Sequence, residues 1–190
     1  HDFGIAKAVG RVQHTREGAR RAQCKNNMKQ MGLAIQSFHD THKYLPSGGH
    51  DDSPPYGTST PNSGWGSAWT VFILPYIDQS ALYGKFTFTG ASGWGGASCV
   101  NNLNQSSNFK MAVYLCPSSP VGDIAISPHN GTNVQSNHYV AVTGAVNGLI
   151  PGHNDTKWYT NSGSAGCCSG GIASGAGAIV PGSTDRLTMV

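Results

Sequence analysis

Residues 19–49, ARRAQCKNNMKQMGLAIQSFHDTHKYLPSGG, carry a helical apolar period inside a chain otherwise dominated by glycine and serine. Cys24, Met28, Met31, Ile35 and Phe38 succeed one another at intervals of 4, 3, 4 and 3, which places them on one stripe of a helix. Such a Met-bearing stripe is read as core. Arg20, Arg21, Lys25 and Lys29 fall largely off it and can stay in water. The pattern begins near Ile5, but Gly10 and Gly18 weaken its first part, so a firm helix is expected from about Val12. Pro46 and the Gly48–Gly49 pair set its end, by removing a donor and permitting a turn.

Beyond the helix the composition changes. Of 190 residues, 26 are glycine and 10 proline, and only 11% are charged against a usual quarter. With 38% hydrophobic residues the chain is not disordered in composition. The mix suits a loop-rich β body in one structural domain, residues 1–45 forming a helical stem and residues 46–190 the body. Trp69–Leu74 reads equally as a strand or a buried helix, and residues 76–86 as a short helix. KMAVYLCPSS and NHYVAVTGAV read as strands bounded by turn residues, and the segment between Phe88 and Lys110 as a further loop. No run of 18 apolar residues occurs.

Charge is concentrated at the start. Residues 1–30 hold seven Lys/Arg against two acids, a net +5, on a body that carries five Lys/Arg and seven Asp. A basic helix can face nucleic acid or an anionic membrane, but no interleaved aromatics accompany it. A solvated face is the expectation, with no nucleic-acid partner.

Four stretches together resemble the bacterial domain of unknown function 1559 family, proteins with a prepilin-type N-terminus related to G-like pseudopilins. They are VQHTREGARRAQCKNNMKQMGLAIQSFHDTHKYLP, WTVFILPYIDQSALY, VYLCPSSP and SNHYVAVTGA, in order from residue 12 to residue 145. The tail GAGAIVPGSTDRLTMV is similar to the segment before the family's Asp-Gly turn. The resemblance implies an α+β, pilin-like fold: a long N-terminal helix packed on an antiparallel β-sheet with long Gly/Ser-rich loops. It also implies a structural role, as an extracellular or envelope-associated subunit that polymerises with itself into a helical filament. Family members carry about twenty apolar residues where HDFGIAKAVG stands here, so membrane contact is expected only through a segment absent from this sequence. The alternative is a cell-surface module stacking glycans on Trp65, Trp69, Trp94 and Trp158.

Residues 1–15 are expected to order against a neighbouring subunit, because alone they bury too little. Phe3, Ile5, Val9 and Val12 would supply apolar contacts, with Arg11 and Arg16 at the rim.

The five cysteines show no Cys-x-x-Cys zinc spacing and favour disulfides in an oxidising compartment. Cys24 on the buried stripe is expected to pair with Cys116, at the end of the apolar MAVYL run. Cys99 would then pair with Cys167 or Cys168. Asn104, Asn130 and Asn154 begin Asn-x-Ser/Thr sequons in polar segments and are candidate glycosylation sites.

Other chemistry is poorly supplied. His39, Asp40 and His42, with His50, Asp51 and Asp52 nearby, have superficial metal-ligand character, but a His at a helix end is more simply a stop feature. Similarity to G-type pseudopilins implies calcium, yet the seven body aspartates form no dense oxygen-ligand loop. Glu17 is the sole glutamate, and neither a nucleophile elbow nor a phosphate-binding setting exists. A non-enzyme with no resident cofactor or metal is expected.

Overall fold

In a computed structural model of the chain, the described residues are 2–49, 52–60, 66–93, 97–107, 109–127 and 130–141, with strands at 158–160 and 172–174. For residues 2–11 and those two strands the description is of the backbone alone. The architecture is α+β. Helix α1 runs Asp2–His42, 41 residues and roughly 60 Å long, so it starts ahead of both weakening glycines and outlasts His39 by almost a turn. It stops where Lys43 turns left-handed (φ 64°) and its N–H caps the His39 carbonyl at 2.7 Å. The rings of Phe38, His42 and Tyr44 then close over the end, Phe38 and His42 with centroids 4.3 Å apart.

The buried stripe of α1 is Cys24, Asn27, Met31, Ala34 and Phe38. Met31 and Phe38 are core, as their period implies, and Ile35 packs half-buried at its edge. Met28 is not core: it is 53% exposed, and the polar Asn27 takes the buried place. Hydrophobicity favours Met28, but geometry favours Asn27. Its side-chain Nδ2 donates to the Ala112 carbonyl at 3.1 Å and the Leu115 carbonyl at 2.8 Å. The Ala112 carbonyl also accepts the Leu115 N–H, so it is chiefly the Leu115 carbonyl that needs the amide, and a buried amide meeting that need is worth more there than a thioether.

Opposite that stripe lies a body of short elements. Helix α2 spans Trp69–Phe72, a 3₁₀ turn Leu74–Ile77, α3 Ser80–Tyr83, α4 Ala97–Ser106 and a second 3₁₀ turn Ala112–Tyr114. Met31 and Ala34 pack with Trp69, Ile73, Leu74, Leu82 and Tyr114 to form the core. Among the described residues α1 thus docks mainly on the two 3₁₀ segments, and not across the expected antiparallel sheet. Among the described residues the β content is two antiparallel pairs: β1 (Ile124–Ile126) with β2 (Asn133–Gln135), and β3 (Trp158–Thr160) with β4 (Ile172–Ser174). Ala125 faces Val134 in the first and Tyr159 faces Ala173 in the second.

The expected strand at 110–119 corrects to a 3₁₀ turn within irregular chain; of that at 137–146, residues 137–141 carry no regular structure and 142–146 lie outside the described residues. The backbone there is satisfied differently. Gln135 receives the Met111 N–H on Oε1 and donates from Nε2 to the Met111 carbonyl, both at 2.6 Å, while Asn27 covers Ala112 and Leu115. Helix α4 replaces part of an expected loop. Its Asn102 clamps Thr87 in the same two-point manner, accepting from the N–H at 2.8 Å and donating to the carbonyl at 2.9 Å.

Loop 52–60 is anchored despite having no periodicity. Asp52 is fully buried, and its carboxylate accepts from the Ser92 N–H at 2.8 Å and the Ser92 hydroxyl at 2.6 Å. Gly57 is required beside it, because a Cβ there would overlap the Asp52 and Phe88 carbonyl oxygens. Tyr56 carries the aromatic packing onward from Tyr44 to Phe72 and Phe88. Its hydroxyl, donating to the Leu45 carbonyl at 2.8 Å, is pushed well above the usual phenol range by burial.

Candidate functional site

The chemistry-bearing contacts that join stem and body gather along residues 17–27 of α1. Cys24 and Cys116 form a disulfide, with Cα atoms 4.9 Å apart across a sequence separation of 92. Asn27 lies on the same face three residues on, and Gln23 donates to its Oδ1 at 2.9 Å, fixing the amide so that Nδ2 points into the body. The Tyr139 hydroxyl donates to the Cys24 carbonyl at 3.2 Å. His138 closes the other side: its N–H donates to the Tyr114 carbonyl, and its Nδ1 receives the Cys116 N–H at 3.0 Å. An accepting Nδ1 leaves the ring proton on Nε2, which faces the Gly122 carbonyl at 3.4 Å.

Glu17 extends this clasp by two turns. Its Oε1 accepts from Arg21 Nε at 3.0 Å and from the Ser118 hydroxyl at 3.1 Å, and Arg20 lies 3.7 Å from Oε2. The Arg21 hydrogen bond first, then that of Ser118, holds its carboxyl below the usual glutamate value. At the rim Lys110 pairs with Asp123 at 2.7 Å and lowers that carboxyl too.

Above the clasp the helix stands in water. Val12 is half exposed, and Arg16, Arg20, Arg21, Lys25 and Lys29 are all exposed. Phe3, Ile5, Val9 and Arg11 lie on the helical backbone, with side chains outside the described residues.

Of the other expected residues, Cys99 corrects to a free, buried thiol on α4. Cys167, Cys168 and Asn154 lie outside the described residues. Asn104 and Asn130 are exposed and adjacent: Asn130 Nδ2 donates to Asn104 Oδ1 at 3.1 Å, so two sequons share one patch. Trp69 is buried in the core and cannot present a stacking face to a sugar, whereas the side chains of Trp65, Trp94 and Trp158 lie outside the described residues. In the His39–Asp52 region His42 stacks on Phe38 and Asp52 is taken by Ser92, while His50 and Asp51 lie outside the described residues. Among the described residues no three His, Cys, Asp or Glu converge as metal ligands, and no helix is long and apolar enough to cross a membrane.

Sequence reasoning reached the disulfide but missed Asn27, Ser118, His138 and Tyr139. A polar residue three places after the stripe cysteine was the available signal for Asn27. A lone glutamate among arginines was the signal for Glu17.

A family model described as a protein of unknown function (DUF1559) matches residues 13–176, most of the sequence. No curated protein and no solved structure matches it.

Proposed function

The chain belongs to the DUF1559 family, and we propose that it is a non-catalytic structural subunit of an extracellular or cell-surface, pilin-like helical filament. The observation that carries this reading is the division of α1. Residues 24–38 are fastened to the body covalently and by buried groups, while residues 12–23 leave a basic, largely exposed rod. A subunit that adds head to tail needs both parts, one rigid against its own body and one available to a neighbour, and contacts of this heterologous kind propagate as open helices. The Cys24–Cys116 bond supports an oxidising location.

In this reading the first fifteen residues seat in a groove of the next subunit, with Arg16 at its rim. Electron microscopy of the native protein is the test. Filaments are expected, and deleting residues 1–15 is expected to abolish them while near-UV circular dichroism shows the body still folded. Filaments that persist after the deletion would sink the connector role. A strictly monomeric full chain that binds glycans would favour the recognition-module alternative.

A further inference from the structure

Between α2, α4 and the 109–114 segment lies a cavity of about 300 Å³, partly open to solvent. Val71, Leu74, Phe86, Leu103, Phe109 and Met111 supply its apolar walls. No described lining side chain carries a formal charge. Most of the polar liners use their side-chain hydrogen bonds on protein partners. The Tyr114 hydroxyl donates to the Thr70 carbonyl at 2.6 Å, Gln135 holds both backbone groups of Met111, and Asn102 holds both of Thr87. Ser67 is tied to Ser92 at 2.9 Å, and Ser92 to Asp52. These bonds fix the walls and leave little for solvent or a ligand to satisfy.

Native interiors leave few gaps larger than a water molecule, and an apolar cavity of about 150 Å³ suffices to hold benzene. This one offers about twice that, in a body too small to spare the packing. Ligand sites begin near this size and share this mix of apolar walls and a few fixed polar groups. We propose that the cavity is a binding site for an uncharged, apolar molecule of two-ring aromatic size. Phe86, Phe109 and Tyr114 offer ring edges and faces, and the sulfurs of Met111 and Cys99 add favourable contact with an aromatic ligand. An anion or cation finds no counter-charge among the described wall residues and would be held there unpaired. The site stands independently of filament assembly.

Cys99 supplies the readout. Cys99 is free, 2% exposed as a residue and part of the wall, so a reagent reaches it through the cavity or on opening of the body, and a ligand bound there slows both routes. The experiment measures alkylation of Cys99 by iodoacetamide in the full, unreduced chain, by peptide mass mapping, with 2-naphthol or 2-naphthoate added. If only the empty protein reacts, 2-naphthol at ten times its dissociation constant slows alkylation about tenfold. The charged 2-naphthoate is expected to leave the rate unchanged within about twofold. Leu103→Phe and Val71→Phe, which add bulk to the cavity from two different helices, are expected to lose the 2-naphthol protection. Absence of protection by 2-naphthol up to its solubility limit would overturn the assignment. So would equal protection by both compounds, or protection that persists in whichever filled variant folds.

Discussion

The two halves of the exposed-to-docked helix, residues 12–23 and 24–38, share one backbone and differ in everything that holds them. The upper half offers surface pairs, Glu17 with Arg20 and Arg21, and one hydroxyl from Ser118. The lower half has a disulfide, a buried amide and core side chains on a 3–4 spacing. Surface ion pairs contribute little, whereas buried apolar area and satisfied buried amides contribute much. Helical length here is therefore set by docking below, and the upper half extends a helix that is already nucleated.

The sharpest way to break the contrast is to cut the covalent tie. Replacing Cys24 and Cys116 together by Ala releases a loop of about ninety residues, and the chain-entropy model places the loss at about 4–5 kcal/mol. Chemical denaturation of the double variant is expected to show a midpoint lowered accordingly. An unchanged midpoint would mean that packing alone fastens the lower half.

Next comes the neighbouring pair Asn27 and Met28. Asn27→Ala strands the Leu115 carbonyl, leaves the Ala112 carbonyl with the Leu115 N–H alone, and should cost about 1–3 kcal/mol. Met28→Ala, on the exposed side, should stay within about 0.5 kcal/mol. Similar losses at both positions would contradict the rotation of the stripe that places Asn27 inward.

Tyr139→Phe removes the hydroxyl that reaches the Cys24 carbonyl and is expected to cost about 1 kcal/mol, read from the same denaturation curves. A stabilised variant would show that this bond does not hold the clasp.

The smallest effect belongs to the upper half. Because Arg21 and Ser118 hold the Glu17 carboxyl below its ordinary value of 4.5, its contribution is fully present above that pH. It fades as acidity takes the pH down through the lowered folded value. Carboxyl NMR titration should find Glu17 below 4.5. Glu17→Gln should flatten the acid-range change in amide exchange across residues 12–23 and leave 24–38 untouched. A titration at or above the ordinary value would remove Glu17 from the clasp.

Much of this contrast is legible in the residues themselves. A 4–3–4–3 apolar period finds the helix and puts Met31, Ile35 and Phe38 on its docking side. Cys24 on that stripe, paired with a cysteine closing an apolar run, finds the disulfide. The stripe errs by one position because a hydrophobic scale cannot know that two carbonyls wait opposite Asn27. The body is harder for the same reason. MAVYL has strand composition, but Gln135 and Asn27 occupy backbone groups of Met111 and Leu115 that a ladder would use. Helix α4, ASCVNNLNQS, is poor in strong helix formers and is held by Asn102 reaching Thr87, a partner no local pattern reveals.

The Cys24–Cys116 bond also has a mechanical meaning. Tension applied along α1 enters the body at residue 24 and crosses the sulfurs directly to residue 116. The core turns, α2, α3, α4 and the apolar walls of the cavity belong to the enclosed ring and lie off the load path. Pulled between its termini, the molecule would give up the chain outside that ring while the ring kept its length. Single-molecule extension would register this as missing contour length that reduction restores, and full extension without reductant would refute it.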